Sequence, residues 1–220
     1  MTRTFAAAFL ALALPLTSLT ALAQDSKPTG GFPAKVEKKL YAKNDLRGKA
    51  APKFEVQSWL SKEPERKGKV VLIDFWATWC GPCVALIPEL EGFKTKFKDD
   101  LVVIGVSDEK ADIVKPFIEK KKVTYAMAID TGAKMKNAVG VQGIPHVLIV
   151  DSAGIVRWQG FPQGDEKLTE EIIQKIIDAD KAVNHKGKSG PSKPEEAPAP
   201  KRSEGTPVPK NLEPAPKRGG

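Results

Sequence analysis

Sulfur and imidazole are scarce in this chain. Its 220 residues hold two cysteines, Cys80 and Cys83, and two histidines, His146 and His185. A structural zinc site takes four such ligands, so one ion would need the whole complement, with His185 drawn from the far C-terminal segment. No metal is expected. Outside Phe5 to Leu16 there is no long apolar run, which excludes a bundle of membrane-spanning helices. A strongly basic body is missing too. Of the net charge of +8, +5 lies in residues 181–220 and +1 on Arg3, leaving +2 for everything else, so no nucleic-acid partner is expected for the folded part.

The two ends do not read as globular. Met1-Thr2-Arg3 carries one positive charge, Phe5 to Leu16 is apolar, and Ala21-Leu22-Ala23 is a small-x-small pattern ahead of Gln24. Together these predict a cleaved secretory signal over residues 1–23 and a periplasmic or otherwise exported mature chain. Retention as a membrane anchor is the weaker reading. Pro15, Thr17, Ser18 and Thr20 interrupt the run before the ~20 apolar residues that a span requires. Residues 24–45 read as a polar linker with a short helical piece at Ala34 to Ala42. Residues 181–220 hold eight of the 18 prolines, nine Lys/Arg, four Asp/Glu and no aromatic residue. That composition cannot bury a core and predicts a disordered basic tail. It is a solvated tether first and a weak contact for an anionic envelope surface second. One domain remains, over residues 46–180.

Within it, Lys53 to Trp59 reads as a short strand. Val70 to Trp76 is a near-continuous apolar run, the pattern of a strand covered on both faces. After Gly81-Pro82, the apolar residues Val84, Ile87, Leu90, Phe93 and Phe97 recur at helical spacing, with Pro88 inside the stretch. Leu101 to Val106 is a second buried-type strand, and Asp112 to Lys122 a helix with Ile113, Val114, Phe117 and Ile118 on one face. Tyr125 to Ile129 is a short strand and Ala133 to Val139 a short helix. His146 to Val150 and Ile155 to Gln159 are strands joined by the turn Asp151-Ser152-Ala153-Gly154. Asp165 to Ala179 closes the domain as a helix striped by Leu168, Ile172, Ile173, Ile176 and Ile177. Strands alternating with helices, then a hairpin and a helix, predict a three-layer α/β sandwich with a central mixed sheet flanked by helices.

The cysteines have three readings. A metal half-site lacks partners. A disulfide staple enclosing two residues would stabilise little, because the gain grows with loop length. A reagent explains the spacing better. Cys80 falls where a buried strand ends and a helix begins, so unpaired N–H groups and the helix dipole favour its thiolate. Cys83, one turn in, is less accessible and suited to resolving the mixed disulfide that Cys80 forms.

The run Ile73-Asp74-Phe75-Trp76-Ala77-Thr78-Trp79-Cys80-Gly81-Pro82-Cys83, with Pro88 in the helix and Gly140-Val141-Gln142-Gly143-Ile144-Pro145 further on, resembles the thioredoxin superfamily. Gly48 to Phe54 and the insertion from Val106 to Gly132 resemble more specifically its exported TlpA/ResA-type branch of redoxins. The resemblance implies that Cys80 is the nucleophile, Cys83 the resolving thiol and Pro145 a cis-proline facing them. It makes Asp74 a buried carboxylate exchanging a proton with Cys83, and burial in an apolar strand should raise its pKa toward the range of general acid–base work. The alternative for Asp74 is a strand end reaching solvent. Trp79, Gly81, Pro82, Ile144 and Gly160 match the apolar rim where a partner chain docks. His146 stands where thioredoxins commonly have Thr. It is expected either to tune the Cys80 sulfur or, more simply, to be a partly exposed strand residue. Trp76 reads as packing, and Met127 and Met135 as core or helix surface.

The expected function is exported thiol-disulfide exchange that reduces protein disulfides, with no cofactor and as a monomer. By resemblance, a membrane-bound thiol protein recharges it and apocytochrome c cysteines are among its clients. Alternatives are a disulfide-forming oxidase, a thiol peroxidase, which the entry motif around Pro52 and Phe54 resembles although Thr78 lies two positions before Cys80 with no matching Pro, and a non-enzymatic envelope binding module acting through the tail.

Overall fold

The computed structural model describes residues 31–188. The signal segment 1–23, residues 24–30 of the linker and residues 189–220 of the tail lie outside the described residues. Six strands form one sheet: β1 (Ser58–Trp59), β2 (Val70–Phe75), β3 (Leu101–Ser107), β4 (Ala126–Ile129), β5 (His146–Val150) and β6 (Val156–Gly160). Their order is β1-β4-β3-β2-β5-β6. β2, β3 and β4 run parallel, while β5, β6 and β1 pair antiparallel to their neighbours. The helices are α1 (Gly81–Lys96), α2 (Ala111–Lys121), α3 (Lys134–Val139) and α4 (Glu170–Lys188). This is the expected three-layer sandwich with a mixed sheet.

The sheet divides the core in two. Val70, Leu72 and Trp76 project to one face, with Leu86, Leu90 and Phe93 of α1, Val114 of α2, and Ile173 and Ile177 of α4. Val71, Ile73 and Phe75 project to the other, under Met135 and Val139 of α3 and partly buried Phe54 and Trp59. All six residues of β2 are buried, so its apolar run is the middle of the sandwich. Gly105 lies beside Asp74 in the β2–β3 register. A Cβ there would come within 2.5 Å of Met127 Sδ and 3.0 Å of Trp76 Nε1. Met127 and Met135 are both buried.

Several elements differ from expectation. Ala34 to Ala42 is not helical, and residues 31–46 form a strap laid against the domain. Long-range pairing outweighs its local helical preference: Ala42 bridges Val141, and the Leu46 N–H donates to Gln159 Oε1 at 2.8 Å. Only Ser58–Trp59 of the Lys53 to Trp59 run pairs as a strand. In α2, Val114 is buried while Ile113 faces solvent at 52%. α4 starts at Glu170 rather than Asp165. Thr169 caps it, its Oγ1 accepting from the Ile172 N–H, and Asp165 and Glu166 instead hold the strap by side-chain bonds. α4 continues to Lys188, so the first residues assigned to the tail extend the helix.

Candidate active site

The loop leaving β2 delivers both sulfurs to the start of α1. Cys80 is the N-cap residue, with φ −83° and ψ 99°. Pro82 stands in the first turn, where a missing N–H costs no helical bond. No acidic residue occupies that turn, which leaves the positive end of the helix dipole to the sulfurs. Cys80 and Cys83 are joined as a disulfide with Cα atoms 5.2 Å apart, and the Cys83 N–H donates to Cys80 Sγ at 3.2 Å. Cys80 is 5% exposed and Cys83 1%. Gly81 and Pro82 are exposed, and Trp79 stands out at 72%.

The Ile144-Pro145 peptide is cis, and the Ile144 carbonyl oxygen lies 3.8 Å from Cys80 Sγ. While the disulfide is intact that sulfur carries no proton, so the approach is a contact. In the reduced protein the same oxygen can accept from the Cys80 thiol. Ile144 is half-buried and Pro145 buried.

Asp74 is 1% exposed and does not reach solvent at a strand end. Leu72 and Trp76, two residues to either side, share a cluster with Cys80 and Cys83, so strand alternation places the carboxyl on the sulfur-bearing face. Burial pushes its pKa up to about 8, and Oδ1 has no hydrogen-bond partner among the described residues. Nearby, Trp76 Nε1 and the Tyr125 hydroxyl also have none. Burial first, then the charges of Asp74 and Glu91, hold the Tyr125 phenol well above its ordinary pKa. A carboxyl protonated near neutrality and buried on the same face as the cysteine pair can take and return a proton at working pH.

Two expected site residues are placed elsewhere. His146 is fully buried, 0% exposed, and pairs with Phe75 rather than with Asp74, so it points to the face opposite the sulfurs. There it packs on the Phe75 ring, 6.3 Å between centroids, with its Nε2 3.3 Å from Gln159 Nε2. Burial, then the charge of Lys38, lowers its pKa to about 4. Gly160, expected on the docking rim, is buried under the strap. With φ 148°, it would place a Cβ within 3.2 Å of Lys38 Cε and Nζ. The Lys38 side chain is 2% exposed, pairs with Glu166 at 2.5 Å and lies 3.7 Å from the Trp158 ring centroid.

One residue with no sequence signal of its own also holds the site. Glu109, after β3, accepts from the Thr78 N–H at 2.6 Å and from Thr78 Oγ1 at 2.7 Å, and Ser107 Oγ donates to the same carboxylate at 3.2 Å. The loop presenting Trp79 and Cys80 is thus tied to the end of the neighbouring strand. Sequence reasoning had no reason to single out one glutamate among the charges of Asp108-Glu109-Lys110. A groove of about 810 Å³ lies on the other face, lined by Pro52, Phe54, Arg66, Val71 and Ile73, and touches neither cysteine. Beside the sulfurs it is the exposed Trp79 ring that protrudes.

A central mixed sheet, a Cys-Gly-Pro-Cys disulfide at a helix N-terminus and a cis-proline opposite it define a thioredoxin-like thiol-disulfide oxidoreductase. The sequence profile described as the AhpC/TSA family matches residues 47–159, and the chain belongs to that family. It is 33% identical over 134 residues to the thiol-disulfide oxidoreductase ResA of Bacillus thuringiensis, covering 59% of this chain and 78% of that protein. It is 34% identical over 142 residues to the thiol:disulfide interchange protein HelX of Rhodobacter capsulatus, covering 60% and 76%. A solution structure from Bacteroides thetaiotaomicron, described as a candidate protein disulfide isomerase, superposes with a TM-score of 0.57 at 26% identity over 68% of this chain and 99% of that one.

Proposed function

We propose that the chain is an exported reductant of protein disulfides, acting through Cys80 and Cys83. The Cys80 thiolate attacks one sulfur of a partner disulfide, forming a mixed disulfide and expelling the partner's other sulfur as a thiolate. Cys83 then gives its proton to the ionised form of Asp74 and attacks Cys80 Sγ. The Cys80–Cys83 disulfide forms, the second partner sulfur leaves, and the two expelled thiolates take up two protons. The partner gains two electrons and the enzyme dithiol loses them, so a thiol donor must restore the dithiol. In an exported protein we assign that role to a membrane-bound thiol protein. Polypeptides with paired cysteines, apocytochrome c before haem attachment among them, are the proposed clients. Pro145, Ile144, Trp79, Gly81 and Pro82 are the proposed docking residues.

The observation that carries this reading is the seat of Cys80, at a helix N-terminus free of acidic side chains, with the Cys83 N–H on its sulfur and the Ile144 carbonyl 3.8 Å away. Reduction of insulin disulfides tests it. Cys80→Ala should abolish turnover, and a variant working at the parent rate would end the proposal. Equilibration with glutathione fixes the direction: a potential near thioredoxin's, about −270 mV, fits a reductant, whereas one near −120 mV makes the protein an oxidase.

A further inference from the structure

The strap of residues 31–46 precedes the segment matched to the family, which begins at position 47, and it is pinned directly to the loop that carries the cis-proline. The Gln142 N–H donates to the Tyr41 carbonyl at 2.8 Å and the Lys43 N–H to the Gly140 carbonyl at 2.8 Å. Between these bonds Tyr41 has φ 54°, a left-handed conformation uncommon for a bulky residue. It turns the side chain onto Gly143, where a Cβ would stand 3.6 Å from Tyr41 Cβ and 3.9 Å from Cδ1. The ring also tilts against Phe161 at 6.2 Å between centroids, and the Lys39 ammonium lies 4.5 Å from its centroid. Tyr41 nevertheless keeps 44% of its surface open.

Phe32 of the same strap is 6% exposed, and Lys38 and Leu40 cover Gly160. Covering the sheet edge is accomplished by those residues, and an open ring adds nothing to it. What the ring does border is the reactive edge. Gly143 leads into Ile144, whose carbonyl is 3.8 Å from Cys80 Sγ, and Trp79 on the preceding loop is 72% exposed. Two open aromatic rings therefore border the two loops that meet at Cys80: Trp79 on one of them, and Tyr41 on the strap that lies against the other.

We propose that the strap forms one flank of the docking surface around Cys80 and that Tyr41 makes the site select an extended polypeptide carrying an aromatic side chain beside its disulfide cysteine. The inference rests on the thiol-disulfide reading above and names its substrate class. The partner backbone crosses Gly143–Ile144, its cysteine meets Cys80, and its neighbouring ring lies against Tyr41 and Phe161. The covalent step is the exchange already written, and Tyr41 contributes to binding alone.

Two peptides, each closed by one disulfide and differing only in Phe or Ser next to the attacked cysteine, test this with the reduced full-length protein. One aromatic pair predicts a KM about five-fold lower for the Phe peptide, with similar kcat. Tyr41→Gly should erase that preference through KM; glycine adopts φ 54° without strain, and a thermal melt verifies that the fold holds. Tyr41→Phe should retain the preference. Equal handling of the peptides by the parent, or a preference that survives Tyr41→Gly, overturns the strap's role while leaving disulfide reduction standing. Failure of the reduced parent to act on either peptide overturns the thiol-disulfide reading, and this inference with it.

Discussion

Asp74 and His146 lie on neighbouring strands one register step apart, yet they serve opposite faces of the sheet. Asp74 is level with Val147, and His146 with Phe75. Both are buried and both have a ring or carboxyl atom without a partner among the described residues. Burial moves the two pKa values in opposite directions, up to about 8 for the acid and down to about 4 for the base, because each group avoids its charged form. Only Asp74 shares its face with the sulfurs. The comparison teaches that a perturbed pKa alone does not identify a working group; the face it occupies does.

Breaking the chemical half has the largest expected effect. Asp74→Asn keeps the volume and removes the proton carrier, so insulin reduction should fall on the order of 10²-fold, the usual worth of positioned acid–base help. A variant at the parent rate would take Asp74 out of the reaction. The same substitution should raise stability with a definite pH signature. The folded pKa of Asp74 lies above its unfolded value, so its favourable contribution is complete below the unfolded pKa and is lost as pH rises through about 8. Asn should therefore gain over the parent between about pH 4 and pH 8 by a few kcal/mol, measured by denaturant unfolding across that window.

His146 carries the opposite sign. Its folded pKa is depressed, so stability is lost as pH falls from about 6.5 through about 4. His146→Gln keeps an amide beside Gln159 and removes the titration. The variant should resist acid better, by about 3 kcal/mol below pH 4, with insulin reduction unchanged at pH 7. Loss of activity in this variant would erase the contrast between the faces.

Smaller effects sharpen the same picture. Lys38→Met leaves Glu166 half-buried without its ammonium and removes the cation from the Trp158 face, which should cost about 2 kcal/mol in a denaturant melt. The loss of its nearby charge should also let the His146 pKa rise, visible by NMR titration. Glu109→Gln can still accept from the Thr78 N–H while its amide donates to Thr78 Oγ1, so its reduction kinetics should stay within about two-fold of the parent. Glu109→Ala, which leaves the Thr78 N–H without that acceptor, should cost about 1 kcal/mol and raise KM more than it lowers kcat.

Local pattern carried much of the architecture. Val70 to Phe75 has no polar alternation until Asp74, and a run of that kind has to be covered on both faces. His146 to Val150 and the turn at Asp151 to Gly154 follow from composition in the same way, with the Gly154 N–H bonded to the Asp151 carbonyl at 2.9 Å. Asp74 was legible because a carboxylate inside an apolar strand is conspicuous. The strap was not: Ala34 to Ala42 has helix-compatible residues, and the strap's course depends on partners about a hundred residues away at Gly140, Val141 and Gln159.

By itself, then, the sequence determined the strand–helix order and the place of Cys80 at a helix start, since each depends on neighbours within a few positions. Tertiary structure alone decided that His146 turns away from the sulfurs, that Lys38 covers Gly160, and that Glu109 and Tyr41 reach the loops around the disulfide. Those facts depend on strand register and on long-range pairing, where a single step moves a side chain to the other face of the sheet.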